Sequence, residues 1–368
     1  MYAPLRTEAG ALPAFNDEVS HFTNVLFQRD AGGIPHQNLK YVDEAALATG
    51  GAEYWQPPLY YQLSALLLKF TSPYPHSIRI VRFFSLFLWY IALFMLAWSV
   101  PTHRMQHAIL TVGSVLGATL PASAVVSNDA LMALFVAFLF VFATIASKRV
   151  LRIYELLLLA VTMALAVYAK LPAITLWVMP LATILLYKEQ PLSIRIQNTV
   201  FIGIVAFAMT MPLWIIRISV YGGPLGLRYA PPIHFRQAVA AFCYSLVTPW
   251  MDPWFSFWVK IPGVVLTLVM LVSLFLFWKK RKDILGGFDE ITRRTSTAWA
   301  IGGALAGIAW VYYAFLNYQT EARLLLPATP ALCIVIGWPL WSLPEKVAHR
   351  FGWAVTVLML LPYLALVK

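Results

Sequence analysis

From Arg79 to the C-terminus, long apolar runs follow one another with only short polar breaks between them. A run of about 20 apolar residues matches the hydrocarbon thickness of a bilayer. Within that layer the backbone must satisfy its own hydrogen bonds, which a helix does inside a single segment. The runs predict about ten helices, over roughly 78–99, 106–126, 129–147, 151–169, 171–187, 198–220, 259–278, 297–317, 323–343 and 351–367. The expected fold class is therefore an all-α integral membrane protein. Only 12% of residues are charged, against about a quarter in a soluble domain.

Residues 1–77 differ from the rest. They are mixed in polarity and broken by "DAGGIPHQ", "ATGGAEYWQPPLYY" and "TSPYPHS", which predicts an outer-face segment of short helices ahead of a transmembrane domain over 78–368. Within it "PPLYYQLSALLLKF" reads as a juxtamembrane helix opened by proline, whose missing N–H costs nothing in a first turn. The opening "MYAPLRTEAGALPAF" lacks the basic start and apolar core of a cleavable signal peptide.

The formal charge of +11 comes in short clusters between apolar runs, which is an orientation signal and excludes a nucleic-acid-binding stripe. Numbering the loops alternately puts "THRMQH", "KRVLR", "KEQPLSIR", "KKRKDILGGFDEITRR" and "PEKVAHR" on one side, the cytoplasmic one. The other side then holds residues 1–77, "SND", the Lys170 junction, the loop 221–258 and "NYQTEAR". Every unusual polar group falls on that outer side. Cys243 and Cys333 offer no metal spacing, and Cys333 lies in an apolar run, against a disulfide.

Ionisable groups at membrane depth or at helix mouths are expensive and mark function. Asp17 and Glu18 in "NDEVSHF" fit either a general base above a membrane cavity or the acidic start of a helix. Asp17 and His21 share a face at i, i+4, the spacing of a metal pair. The aromatics of "EYWQPPLYY", Tyr54 and Tyr60 among them, fit a sugar or lipid site or an interfacial belt. Asn128 and Asp129 fit a helix cap. Lys170 either snorkels or holds a phosphate. Glu321 and Arg323 stand at an outer helix mouth, and Arg323, with Arg79 and Arg82, runs against the positive-inside trend, as arginines gripping a phosphate or lipid headgroups would.

The order of these stretches, an acid pair and histidine, a Gly/Pro-rich loop, "QPPLYY" leading to "R..R", "SND.L", "AK.PA" and "EARLLLPA.P", resembles the GT-C superfamily of membrane glycosyltransferases. Its protein O-mannosyltransferase-like and aminoarabinose-transferase-like members look most similar. The resemblance implies transfer of a sugar from a polyprenyl-phosphate donor to a glycan, lipid or protein acceptor, with inversion, at the outer face of a bacterial plasma membrane. It implies Asp17, with Glu18 beside it, as the catalytic carboxylates. Arg79, Arg82, Lys170 and Arg323 would face the donor phosphate. His21, Tyr54, Gln56, Tyr60, Asp129 and Glu321 would line the site. No cofactor or obligatory metal is expected, since the donor carries the activated sugar and the first outer segment has no DxD pair. Family members often carry His or Lys where this chain has Gln56, and a first transmembrane helix ahead of the acid pair. The fifteen residues before Asn16 are too short to cross about 30 Å. These two departures support the alternative class, a non-catalytic GT-C-like membrane subunit of a larger complex.

Overall fold

The computed structural model describes residues 18–30, 32, 56–70, 76–119, 126–187, 189–223, 257–317, 327–339 and 343–367. Among them no strand occurs. The helices are α1 (Glu18–Asp30), α2 (Leu59–Leu68), α3 (His76–Ser99), α4 (His103–Thr119), α5 (Asp129–Lys148), α6 (Ile153–Ala169), α7 (Val178–Leu186), α8 (Leu192–Tyr221), α9 (Phe257–Gly286), α10 (Glu290–Asn317), α11 (Thr329–Gly337) and α12 (Glu345–Val367). A 3-10 turn, Leu171–Trp177, precedes α7. Each predicted apolar run meets a helix. By length and composition, three of the described helices suffice to cross a membrane: Ser77–Ser99, Asp129–Lys148 and Leu192–Val220.

Helix α5 is the centre of the bundle. Its apolar window is 72% buried, against 22% for the span in α8, whose Ile204, Phe207, Ile215 and Ile218 face outward. Helices α3, α6, α7 and α10 all pack on α5. The α10 contact is fixed by polar groups as well as by shape. Trp299 is fully buried, meets Phe140 edge to face at 5.3 Å and donates its indole N–H to Thr144 Oγ1 at 2.9 Å. Ser147 and Thr295 share a hydrogen bond of 2.9 Å one turn further on.

Proline sets the sharpest reversal. Pro172 cannot continue α6, because its ring would clash with the carbonyl one turn back. The helix stops at Ala169, Lys170 is extended (φ −160°, ψ 130°) and the chain turns back. Trp177 Nε1 therefore reaches the Met163 carbonyl at 2.8 Å, a contact that a continuous helix fourteen residues long would forbid. The predicted runs 151–169 and 171–187 are thus two antiparallel segments.

The last helix docks along a polar seam. Ser114 bonds Thr356 at 3.3 Å, Thr356 also donates to the Leu110 carbonyl at 3.1 Å, and Gly352 lies against Thr111 and His107. Small and hydroxyl residues let helices approach closely where lipid supplies no hydrophobic drive. Helix α11 approaches the same α4 through Gly337, whose missing Cβ would sit 2.4 Å from the Cβ of Ala108 and 2.9 Å from its Cα.

The bundle has two chemically different ends. At one, Lys148 donates to the Ser99 carbonyl at 2.9 Å, Tyr187 to Glu189 at 2.5 Å, and Arg294 pairs with Glu189 at 3.3 Å. That end gathers the basic loops. The other end of α5, about 30 Å away by helix rise, carries Asp129. Gly337→Ala should cost about 1–3 kcal/mol, because only backbone and a Cβ stand in the way and neither can rotate aside. Gly203→Ala, where a Cβ meets nothing within 4 Å, is the control. Thermal unfolding of the two variants checks the difference, and equal midpoints would contradict the α4–α11 packing.

Candidate functional site: a buried polar cluster at one end of the bundle

Glu18 opens α1, yet its carboxylate does not serve its own helix. Both oxygens take the Arg82 guanidinium, from Nε at 2.8 Å and Nη2 at 2.6 Å, and Oε1 also accepts the Val126 N–H at 2.9 Å. Both side chains are almost fully excluded from solvent. Arg82 is placed by α3, where Ser85 lies one turn on along the same face and bonds the Tyr60 hydroxyl at 2.7 Å. Burial pushes the pKa of the Tyr60 hydroxyl up, and either hydroxyl can be the donor in that bond. His21, one turn along α1 from Glu18, stacks on Tyr61, and its Nδ1 lies 2.6 Å from that hydroxyl.

Four consecutive residues, Val126 to Asp129, tie these groups to a second ion pair. Ser127 Oγ donates to Asp129 Oδ2 at 3.0 Å, and Lys170 Nζ pairs with Asp129 Oδ1. The reversal at Pro172 delivers that lysine, since only an extended Lys170 leaves the α6 axis here and turns its side chain toward α5. Asn128 Nδ2 donates at 3.1 Å both to Gln56 Oε1 and to the Ala169 carbonyl, pinning the loop before α2 to the end of α6.

The cap expected of Asn128 does not form: it occupies the N-cap position of α5 with no side-chain cap bond, and its amide serves the tertiary contact instead. Gln56, Tyr60, His21, Glu18, Arg82, Asp129 and Lys170 all lie at this end of the bundle, linked through Val126–Asp129 and through the Tyr60–Tyr61 ring contact. Arg82 and Lys170, expected to face a phosphate, are each held by a carboxylate of the chain. Arg79 stands in the first turn of α3, half-buried, with Nε buried and unpartnered, as is Asn128 Oδ1. Asp17, Tyr54, Glu321 and Arg323 lie outside the described residues. Among the described residues, no group of three His, Cys, Asp or Glu side chains is placed to hold a metal ion.

Several members carried no sequence signal of their own. Ser85, Ser127 and Tyr61 are common residue types, and only the i, i+3 spacing of Arg82 and Ser85 hinted at a shared face. Arg217, near the end of α8 and 1% exposed, is a further buried guanidinium, and nothing in the apolar run around it signals its burial.

What the cluster can do follows from its charge. Two cations and two carboxylates, nearly dry, form a fixed array of dipoles and ions, which keeps its full field because little water screens it. Removing one member strands the other, so Arg82→Ala should destabilise the protein by about 3–5 kcal/mol. Glu18→Gln combined with Arg82→Met should cost less than the two single changes added. A double-mutant cycle on unfolding midpoints checks this, and simple additivity would mean that the pair is not coupled.

No family model matches the chain, and no curated protein matches it. Solved structures do. ArnT from Cupriavidus metallidurans bound to undecaprenyl phosphate superimposes with a TM-score of 0.52 at 13% identity, over 92% of this chain and 58% of that one. The apo structure of the same protein gives a TM-score of 0.55 at 12% identity, over 92% of this chain and 57% of that one. The chain thus spans less than two thirds of the length of the proteins it matches. At this identity the likeness is one of fold: the described helices are arranged as those of ArnT are.

Proposed function

We propose that this chain is a GT-C-type glycosyltransferase that moves a sugar from a polyprenyl-phosphate donor to an acceptor at the outer face of a membrane. The observation that carries the reading is the buried cluster itself: charged groups from α1, α3, α5 and the end of α6 converge at one end of a bundle with the fold of ArnT. That neighbour was solved bound to undecaprenyl phosphate. In the proposed topology all ten runs cross the membrane. The basic loops then face the cytoplasm, and the cluster faces outward.

The chemistry needs two provisions. The bond from the anomeric carbon to the phosphate oxygen breaks more easily when cations take up the phosphate charge, and preformed electrostatics of this kind need no rearrangement during the reaction. Arg79, with Arg82, Lys170 and Arg323, supplies those cations in this reading. The acceptor oxygen or nitrogen attacks the same carbon from the opposite side, and its proton passes to Asp17 as general base. Glu18 has another task. Its two oxygens are engaged by Arg82 and Val126, so it fixes the guanidinium and leaves the adjacent Asp17 as the base.

One observation favours the alternative, a non-catalytic membrane subunit: Gln56, Arg82 and Lys170 are all satisfied by partners within the chain. Turnover decides between the two. Asp17→Asn should lower transfer from a polyprenyl-phosphate sugar by about 10²–10⁴ while donor binding is nearly unchanged. Binding without transfer in the wild-type protein would favour the subunit, and full activity in the variant would remove Asp17 from the mechanism. The topology is checked separately with cysteines. Those placed in residues 279–296 should be labelled only from the cytoplasm, and those in 30–50 only from outside. Labelling of both from one side would refute the arrangement.

A further inference from the structure

Helix α9 is longer than a membrane crossing requires. Its 30 residues extend about 45 Å, whereas hydrocarbon accounts for about 30 Å. The apolar part ends at Trp278, and Lys279, Lys280, Arg281 and Lys282 follow without interruption on the same helix. At 100° per residue, four consecutive cations encircle the axis, so they form a collar and not a face. Lys279, Lys280 and Lys282 are exposed.

The neighbouring side chains show which level of the membrane the collar meets. Phe275 is 67% exposed and Trp278 66% exposed, so apolar surface reaches outward up to the collar. The Arg281 guanidinium lies 4.4 Å from the Trp278 ring centroid, and Nη1 donates to the Trp278 carbonyl at 2.6 Å. Arg281 thus points back along the helix to the level of the indole, the aromatic type that settles among headgroups. Asp283, the next residue on the helix, is exposed and makes no ion pair with the collar, so the four cations outnumber it; the other acids nearby are occupied elsewhere. Glu290 and Glu189 both pair with Arg294, and Asp289 accepts the Thr292 N–H at 2.7 Å as the cap of α10. None of the ion pairs among the described residues uses a collar cation.

We propose that the Lys279–Lys282 collar is a binding site for anionic phospholipids of the leaflet around the basic end of the bundle, with Trp278 as its floor. A charge cluster that only set orientation needs no such arrangement. Here the cations sit on a rigid helix, next to lipid-facing apolar surface, with an arginine held at headgroup level by an indole. Each cation near an anionic surface adds about fivefold to the attraction, and the phosphate of an acidic headgroup is the group that lysine and arginine donors fit. The inference rests on the membrane reading of the fold and is independent of the sugar-transfer chemistry.

The test uses the full chain in nanodiscs of mixed phosphatidylglycerol and phosphatidylcholine, transferred to mild detergent, with the lipids that remain bound counted by mass spectrometry. The wild type should retain phosphatidylglycerol in preference, and high salt should abolish that preference. Neutralising the collar (K279Q, K280Q, R281Q and K282Q together) should reduce it by about tenfold or more. Lys346→Gln with Arg350→Gln, exposed cations at the same end of the bundle, should leave it in place. Equal retention of both lipids by the wild type would overturn the proposal. So would an equal loss in the two variants, which would mean that total charge and not the collar attracts the lipid. Should the collar variant fail to insert, the salt dependence of the wild type and the behaviour of K279Q alone decide the matter.

Discussion

A charge buried without a partner costs far more than a folded chain has to spare, and that constraint organises the end of the bundle that carries the polar cluster. Glu18 and Arg82 are dry, as are Asp129 and, nearly, Lys170. Each pair joins segments far apart in sequence: Glu18 to Arg82 across 64 residues, and Asp129 to Lys170 across 41. The stretch Val126–Asp129 takes part in both, through its N–H and its carboxylate. If either pair opens, α1 and α3, or α5 and the end of α6, lose the contact that matches their charges. The arrangement of that end therefore depends on these pairings being made together.

Buried ion pairs are a poor way to gain stability, because well-packed apolar residues in their place do as well or better. What they provide is a field of fixed direction. In a glycosyl transfer from a lipid phosphate, that field is useful at the leaving group, where charge develops. In the function proposed above, the packing of the bundle would hold that field in place. Helix α5 carries Asp129 at one end and, along its length, the Thr144–Trp299 and Ser147–Thr295 contacts that lock α10 beside it. A cluster held on helices in this way is positioned more finely than one held on loops.

Much was legible in the chain because a membrane leaves little freedom. Apolar runs of the right length had to be helices, and a helix lies on each of them. Charged residues at the mouths of those runs were worth noticing for the same reason, and four of them, Glu18, Arg82, Asp129 and Lys170, lie together in the buried cluster. Their partners were not legible. Asn128 reads as a cap by its local position, and the tertiary contact with Gln56 and Ala169 overrode that preference. Arg82 and Lys170 read as free cations because nothing near them in sequence is acidic, while the acids that hold them arrive from other helices.

The division has a simple physical origin. Period, length and hydropathy are properties of a local segment, so the sequence alone determined the all-helical class and the break between two helical runs at Lys170. Pairing is a property of two segments at once. Only the tertiary structure decided that Glu18 anchors Arg82, that Asp129 answers Lys170 and that four residues between Val126 and Asp129 join them. A carboxylate finds its cation according to which helices touch, and no single stretch of chain contains that information.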